Sequence, residues 1–134
     1  MWTLIFDVKG PYALFKKPFT PVSPVSFPFP PPPTIIGLIG SICGYDKDEY
    51  LELIGWNRIR IGVCLMMPVQ RLRAGINLVN TKGNKYFRLV PGNPRIQIPH
   101  EFIKEAHYRV YATNGHPEAM ADLESHLRNG TNIY

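Results

Sequence analysis

The feature that most restricts the fold is a proline-rich segment followed at once by a glycine-spaced apolar run. Nine prolines fall within the 23 residues from Pro11 to Pro33, and the run TIIGLIGSICG comes next. Proline holds φ at about −65° and removes a backbone donor, so we predict an extended, polyproline-like loop over residues 11–33. Five aromatic residues lie among the prolines. That content favours a loop packed on the body of the protein over a disordered linker.

The apolar run is predicted to be a helix that begins at Pro33 and ends at Gly44. Proline is tolerated in the first helical turn, and glycine commonly follows the last one. Gly37, Gly40 and Gly44 share one helical face. Such a bare stripe indicates a close approach to the helix. Either the helix packs tightly on a sheet, or a nucleic-acid backbone approaches its N-terminus, where free N–H groups favour phosphate.

The rest of the chain alternates between strands and helices. The stretch WTLIFDVKG is predicted to be a strand that ends at Gly10-Pro11. A short helix follows in YDKDEYLELIGW, and IRIGVCLMMPVQRLRAGINLV is predicted to be one long strand. The stretch NTKGNKYFRLVPGNPR is predicted to be a hairpin tip, and the next strand is allowed a helical turn at HEFIKEA. An amphipathic helix in HPEAMADLESHLRNG completes the order.

This order predicts an α+β protein. It is the ferredoxin-like split βαβ pattern without its last strand, on one domain that spans residues 1–134. Many unrelated functions use that fold, so the function has to come from particular residues.

Charge is distributed unevenly along the chain. The net charge is +5, yet no acidic residue lies between Glu52 and Glu101, where eight basic residues occur. Ordinary surfaces mix both signs, so this acid-free stretch indicates a surface that binds a polyanion. A solvated basic surface without a partner is the alternative.

Cysteine and histidine usage gives no sign of a metal or cofactor. Cys43 and Cys64 lie in apolar runs and are predicted to be reduced core residues, while the four histidines lack zinc-ligand spacing. The N-terminal sequence lacks the pattern of a signal peptide. No apolar run approaches the length of about 20 residues that a helix needs to cross a bilayer. A cytoplasmic protein without a membrane partner is expected.

The first 45 residues also carry an ordered set of motifs. A strand ends in Gly10-Pro11-Tyr12, a basic aromatic stretch follows, and PFPPP precedes a helix that contains GLIG. Over residues 4–45 the chain resembles the Cas-five family, the RAMP proteins of type I CRISPR (Cascade) complexes. The resemblance implies an RRM-like RAMP fold with a projecting β-hairpin thumb. It implies a subunit that holds the 5′ handle of the CRISPR RNA (crRNA) and contacts the backbone RAMP subunit and the large subunit.

Carried over to this chain, the resemblance places the thumb within about residues 76–98. It implies an RNA-binding surface made of basic residues and one aromatic. The residues of this surface are Lys16, Lys17, Arg71, Arg73, Lys82, Lys85, Tyr86, Arg88 and Arg95. Tyr12, Phe15 and Phe87 are further candidates for stacking on bases, with core packing as the alternative for each.

Two features depart from the family pattern. Members usually continue with a further strand after the second helix, so a truncated or naturally short form is expected here. Its open sheet edge would allow self-association or a partner strand. Some relatives cleave precursor RNA with a tyrosine, a lysine and a histidine, but no motif fixes such a trio, and we predict a non-catalytic subunit. A metal-independent endoribonuclease that uses His100, Tyr86 and Lys82 is the alternative, and a plain protein-interaction module is the third hypothesis.

Overall fold

The computed structural model describes residues 2–80, 95–114 and 116–130. These ranges contain four strands and three helices. The strands are β1 (Leu4–Ala13), β2 (Ile59–Leu65), β3 (Gln70–Val79) and β4 (Arg95–Asn114). The helices are α1 (Pro32–Cys43), α2 (Tyr50–Ile54) and α3 (Pro117–Asn129).

The long strand β4 organises the sheet. Its C-terminal half lies between β1 and β2, and its N-terminal half pairs with β3, all in antiparallel register. The predicted mixture of helices with an antiparallel sheet is therefore confirmed. The ferredoxin-like assignment and the thumb stay predictions.

The single long strand predicted over residues 59–79 is wrong. The chain forms β2 and β3 with residues 66–69 between them, and these four residues face only residues 105–107 of β4. Pro68 has no N–H to give to a strand ladder, which favours a break at this point. One extra residue opposite a continuous strand is the arrangement of a bulge.

The strand β1 does not end at Gly10-Pro11, as predicted, but continues to Ala13. The pairing of β1 with β4 omits Pro11 and Glu105, which face each other. Glu105 has a φ of 52°, a left-handed conformation that few residues other than glycine adopt. At this point the buried side of β4 changes from odd-numbered residues, such as Ile103, to even-numbered residues, such as Ala106.

A continuous strand also replaces the helical turn allowed at HEFIKEA. Within that stretch Ile103 and Ala106 are buried, three residues apart, because the buried side changes at Glu105. The spacing of three, which is typical of a helix, arises here from a kinked strand.

The main core lies between the sheet and the helices α1 and α3. Val110 and Ala112 of β4 are fully buried against Ile35 and Ile39 of α1 and Leu123 of α3. Alternation along the first part of β1 places Leu4, Phe6 and Val8 on this inner face and leaves Ile5 and Lys9 exposed. On the other, outer face of the sheet, Ile5 and Cys64 are exposed.

The glycines of α1 do not act as one stripe. The helix starts one residue before the predicted Pro33 and ends at Gly44, which has the left-handed φ of 70° expected of a C-cap. A Cβ at Gly40 would lie 3.1 Å from the Cβ of Tyr50, so the close approach is made by α2 and not by the sheet. A Cβ at Gly37 would meet nothing within 4 Å.

The two cysteines differ in environment. Cys43 is buried as predicted, and burial raises the pKa of its thiol to about 11. The prediction that Cys64 is a core residue is wrong, because β2 alternates and Cys64 points to the exposed outer face. Among the helices of the described segments, none has the length and apolar composition that a bilayer crossing requires.

Candidate nucleic-acid interface

The segment between β1 and α1, residues 14–31, is called the proline loop here. Its backbone folds back on itself as a short antiparallel pair. The N–H of Lys17 donates to the carbonyl of Val25 at 2.9 Å, and the N–H of Phe27 donates to Phe15 at 2.8 Å. Lys16 lies between these bonds, opposite Ser26. The two predicted RNA-binding lysines therefore sit on one arm of an ordered structure.

The other arm of the proline loop is bound to the sheet through alternate carbonyls. Each carbonyl accepts one hydrogen bond from β3 or β4. The three bonds are Glu101 N–H to Pro24 at 2.9 Å, Arg71 Nη1 to Ser26 at 3.4 Å, and Tyr108 hydroxyl to Pro28 at 3.0 Å. Because a proline has no N–H, it offers the sheet only an acceptor, and the sheet must supply the donors. The prolines thus fix both the shape of the loop and the direction of its bonds.

Aromatic packing holds the base of the proline loop. The rings of Phe15 and Tyr108 meet edge to face, with centroids 5.7 Å apart. Phe15 packs against a small second core that contains Ile103 and Ala106, and burial raises the pKa of Tyr108. Phe15 is therefore a packing residue, whereas Tyr12 is 56% exposed and available for stacking.

A buried carboxylate lies beneath the loop. The side chain of Glu101 is only 9% exposed, and its two oxygens face the arginines of β3. Arg71 Nη1 contacts one oxygen directly, and Arg73 Nε lies 3.8 Å from the other. A buried carboxylate requires such compensation, because burial removes its solvation. Arg71 is held in place, while the side chain of Arg73 stays 78% exposed.

The structure thus brings four of the predicted RNA-binding residues together. Ser26 lies opposite Lys16 and accepts from Arg71, and Glu101 links Arg71 to Arg73. The ammonium of Lys17 sits 5.6 Å from the ring centroid of Phe27, a cation–π distance.

The other predicted residues are not part of this group. Arg95 is exposed at the far end of the β3–β4 pair, opposite Val79. Four more lie outside the described residues: Lys82, Lys85, Tyr86 and Arg88. Of the alternative catalytic trio, only His100 is described. Its Nδ1 lies 2.9 Å from the carbonyl of Ile98, and its ring stacks on Phe102 with centroids 6.0 Å apart.

Sequence reasoning missed Glu101 and Ser26. Ser26 is fully buried, and its hydroxyl accepts from the N–H of Phe15 at 2.9 Å and donates to the carbonyl of Phe27 at 2.7 Å. Nothing in the sequence marks this serine among its neighbours. Glu101 had one signal, because it is the acidic residue that ends the acid-free stretch.

A second charged cluster lies on the outer face of the sheet. Arg109 donates to Asp7 from Nε at 2.8 Å and from Nη2 at 3.2 Å, and His107 Nε2 lies 3.0 Å from the same carboxylate. Hydrogen bonding from Arg109, and then from His107, holds the pKa of Asp7 well below its usual range. The charge of Arg109 is thus balanced locally. Within the described residues, no group of three His, Cys, Asp or Glu side chains could hold a metal ion.

Comparison with known proteins gives the family. The family model described as "CRISPR-associated protein (Cas_Cas5)" matches residues 3–132. The chain belongs to the Cas5 family. This Cas5 chain has the fold of a chain in a solved "CRISPR RNA-guided surveillance complex", with a TM-score of 0.71 at 16% identity, and the match covers 99% of this chain.

A second structure, "Crystal structure of Cas protein", is similar over 95% of the Cas5 chain with a TM-score of 0.51 at 20% identity. No curated protein gives a significant sequence match. The Cas5 chain spans 55% and 52% of the lengths of the two solved chains.

Proposed function

We propose that this Cas5 protein is a non-catalytic crRNA-binding subunit of a type I Cascade complex and that it holds the 5′ handle of the crRNA. The observation that carries the proposal is the grouping of Lys16, Lys17, Arg71 and Arg73 around Ser26 and Glu101. Lys16 is paired across the proline loop with Ser26, whose carbonyl accepts from Arg71, and Glu101 contacts both arginines. Family membership supports the RNA as the polyanion that such a surface would take.

The proposed fold is the ferredoxin-like RAMP fold of a single domain. The order β1–β4–β2, with β4 in the centre, supports this assignment. The β3–β4 pair would form the base of the thumb, with the RNA-binding group beside it. Among the described strands, β1 pairs only with β4. Its other edge would accept a partner strand from a Cascade subunit or from a second copy, in the cytoplasm.

Binding would rest on charge first and on stacking second. Lysine and arginine neutralise phosphates and release counterions, which makes affinity fall as salt rises. The exposed ring of Tyr12 would add stacking with an unpaired base, at about 1–3 kcal/mol. Phosphate contacts position an RNA without reading its sequence, so recognition of the handle would depend on base contacts and on the shape of the 5′ end.

The test is RNA binding across a salt series, with a repeat-derived RNA that keeps its natural 5′ end and a scrambled control. About five phosphate contacts to a single strand predict a log–log slope of about −3 to −4. Equal affinity for both RNAs would contradict handle binding. Cleavage of the repeat RNA with metal chelated would replace the proposal with the endoribonuclease.

A multiple variant tests the site. Four basic residues are changed together to alanine: Arg71, Arg73, Lys85 and Arg88. Loss of about three direct phosphate contacts, those of Arg73, Lys85 and Arg88, predicts a slope smaller by about 2 or more. The matched control removes four basic residues outside the acid-free stretch: Lys9, Lys47, Arg109 and Arg128. Equal reductions of the salt slope in both variants would show that RNA binding depends on the overall charge of the protein and not on this site.

A further inference from the structure

We infer that Arg71 and Glu101 form a clip that positions Lys16 and Lys17 for RNA, and that Arg71 is not itself a phosphate contact. Of the two arginines of β3, Arg71 is then a positioning residue and Arg73 an RNA contact. The RNA part of this inference rests on the proposed function, whereas its structural part does not.

The first step is the double attachment made by Glu101. Its backbone N–H binds the carbonyl of Pro24 at 2.9 Å, and its buried side chain binds Arg71. One residue of β4 therefore holds the proline loop through its backbone and orients an arginine through its side chain. That arginine returns to the same loop, because its Nη1 also reaches the carbonyl of Ser26 at 3.4 Å.

The two arginines of β3 differ in how accessible they are to a phosphate. The nitrogen Nη1 of Arg71 faces both the Glu101 carboxylate and the Ser26 carbonyl, so a phosphate would have to compete with a fixed, buried anion. Arg73 lies 3.8 Å from the same carboxylate and is 78% exposed, compared with 41% for Arg71. A phosphate can therefore reach Arg73 without displacing a buried carboxylate from direct contact with the arginine.

The third step links the clip to the lysines. Ser26 is paired with Lys16 across the two arms of the proline loop, and the next bond joins Lys17 to Val25. On either side of the clip, the carbonyl of Pro99 accepts from Ser23 at 3.2 Å, and that of Pro28 accepts from Tyr108 at 3.0 Å. Loss of the Arg71–Ser26 bond would leave the Ser26 arm without its attachment to the sheet at the position opposite Lys16, between the remaining bonds of Pro24 and Pro28.

The decisive variant is Glu101→Gln, which keeps the shape and the backbone N–H but removes the charge. If Arg71 is a phosphate contact, this change frees it, and RNA affinity rises or stays the same. If Arg71 and Glu101 form a clip, affinity falls as it does in Arg71→Ala. The matched control, Arg73→Ala, should reduce the salt slope by about 0.7, the value for one contact.

A mutant cycle provides the second test. Arg71→Ala is combined with the Lys16→Ala/Lys17→Ala double variant. A residue that acts through the lysines should add less than about a twofold loss to that variant. A full additional loss, equal to that of Arg71→Ala in the wild-type background, would overturn the positioning role.

Hydrogen exchange of the free protein separates this inference from the proposed function. The N–H groups of Lys17 and Phe27 should exchange faster in Arg71→Ala and in Glu101→Gln, and should be unchanged in Arg73→Ala. Unchanged exchange in the first two variants would overturn the clip, whatever the RNA result. If Arg71→Ala does not fold, Glu101→Gln decides alone. Absence of RNA binding by the wild type would overturn the proposed function and the RNA part of the inference, while faster exchange would keep the clip.

Discussion

At the scale of single residues, the buried hydroxyl of Ser26 makes more hydrogen bonds within the proline loop than any of the prolines does. Ser26 is fully buried and uses both its donor and its acceptor within the loop. Its neighbours Pro24 and Pro28 each supply only a carbonyl to the sheet. The loop therefore depends on one serine to satisfy the N–H of Phe15.

Ser26→Ala should lower the free energy of unfolding by about 1–3 kcal/mol, because the N–H of Phe15 would remain buried without a partner. Urea denaturation of the variant and the wild type measures the change. The matched control is Ser23→Ala, at an exposed position, which should stay within about 0.5 kcal/mol of the wild type. Equal effects of the two substitutions would contradict this account.

Asp7 should make the protein more sensitive to acid. Because Arg109 and His107 hold the pKa of Asp7 below its ordinary value of 3.8, the folded chain binds this proton less readily than the unfolded chain. The stabilisation is fully present above about pH 4 and is lost as pH falls through the folded pKa. Asp7→Asn should therefore flatten the loss of stability below about pH 4. Urea denaturation at a series of pH values measures the free energy of unfolding of each variant, and the exposed Asp48→Asn is the control. Parallel pH profiles for Asp7→Asn and the wild type would contradict the role assigned to Asp7.

At the scale of elements, the helix α1 contains two glycines that the sequence does not distinguish. Gly37 faces open space, and Gly40 faces the side chain of Tyr50 on α2. At position 37 the glycine only lowers the stability of the helix, whereas at position 40 it leaves room for the Tyr50 side chain. The helical stripe indicates a close approach, but only the position of α2 decides which glycine makes it.

Gly37→Ala should raise the free energy of unfolding by about 0.5–1 kcal/mol, because alanine loses less backbone entropy in a helix. Gly40→Ala should lower it by about 1 kcal/mol, since the new Cβ would press on the Tyr50 side chain at 3.1 Å. Thermal or urea unfolding of the pair measures both changes on the same helix. The same sign for both variants would show that Tyr50 moves aside.

The strand β4 shows how a local pattern misleads at this scale. Its buried residues switch sides at Glu105, so Ile103 and Ala106 acquire a helical spacing within a strand. The switch lies where the pairing of β4 with β1 is interrupted, with Pro11, which has no N–H to donate, opposite Glu105. This partner strand lies about ninety residues earlier in the sequence, so the local pattern of β4 does not contain it.

At the scale of the whole molecule, equal formal charges have unequal roles. Arg73 is exposed beside the proline loop, whereas Arg109 on the outer face is bound to Asp7 through two hydrogen bonds. The net charge of the chain includes one positive charge from each of these two arginines. An anion approaching the molecule meets Arg73 as a largely exposed cation and Arg109 as a hydrogen-bonded pair with Asp7.

Arg109→Ala should therefore leave the salt slope of RNA binding unchanged, while Arg73→Ala should reduce it by about 0.7. Both variants lose one positive charge, so a difference between them reports location and pairing and not net charge. Fluorescence anisotropy titrations at several salt concentrations measure the slopes. Equal slopes for the two variants would assign RNA binding to the general charge of the chain.

The sequence by itself determined the features that local chemistry controls. Proline geometry, helix capping and apolar periodicity act over a few residues, so the packed proline loop, the end of α1 at Gly44 and the amphipathic helix α3 could all be predicted. The order of motifs in the first 45 residues also indicated the family. Only the tertiary structure decided which cations are free, because Arg71 is bound by a carboxylate 30 positions away and Arg109 by one 102 positions away. Exposure of Cys64 and the break between β2 and β3 likewise depend on β4, because pairing with a distant strand sets which side of a residue is buried.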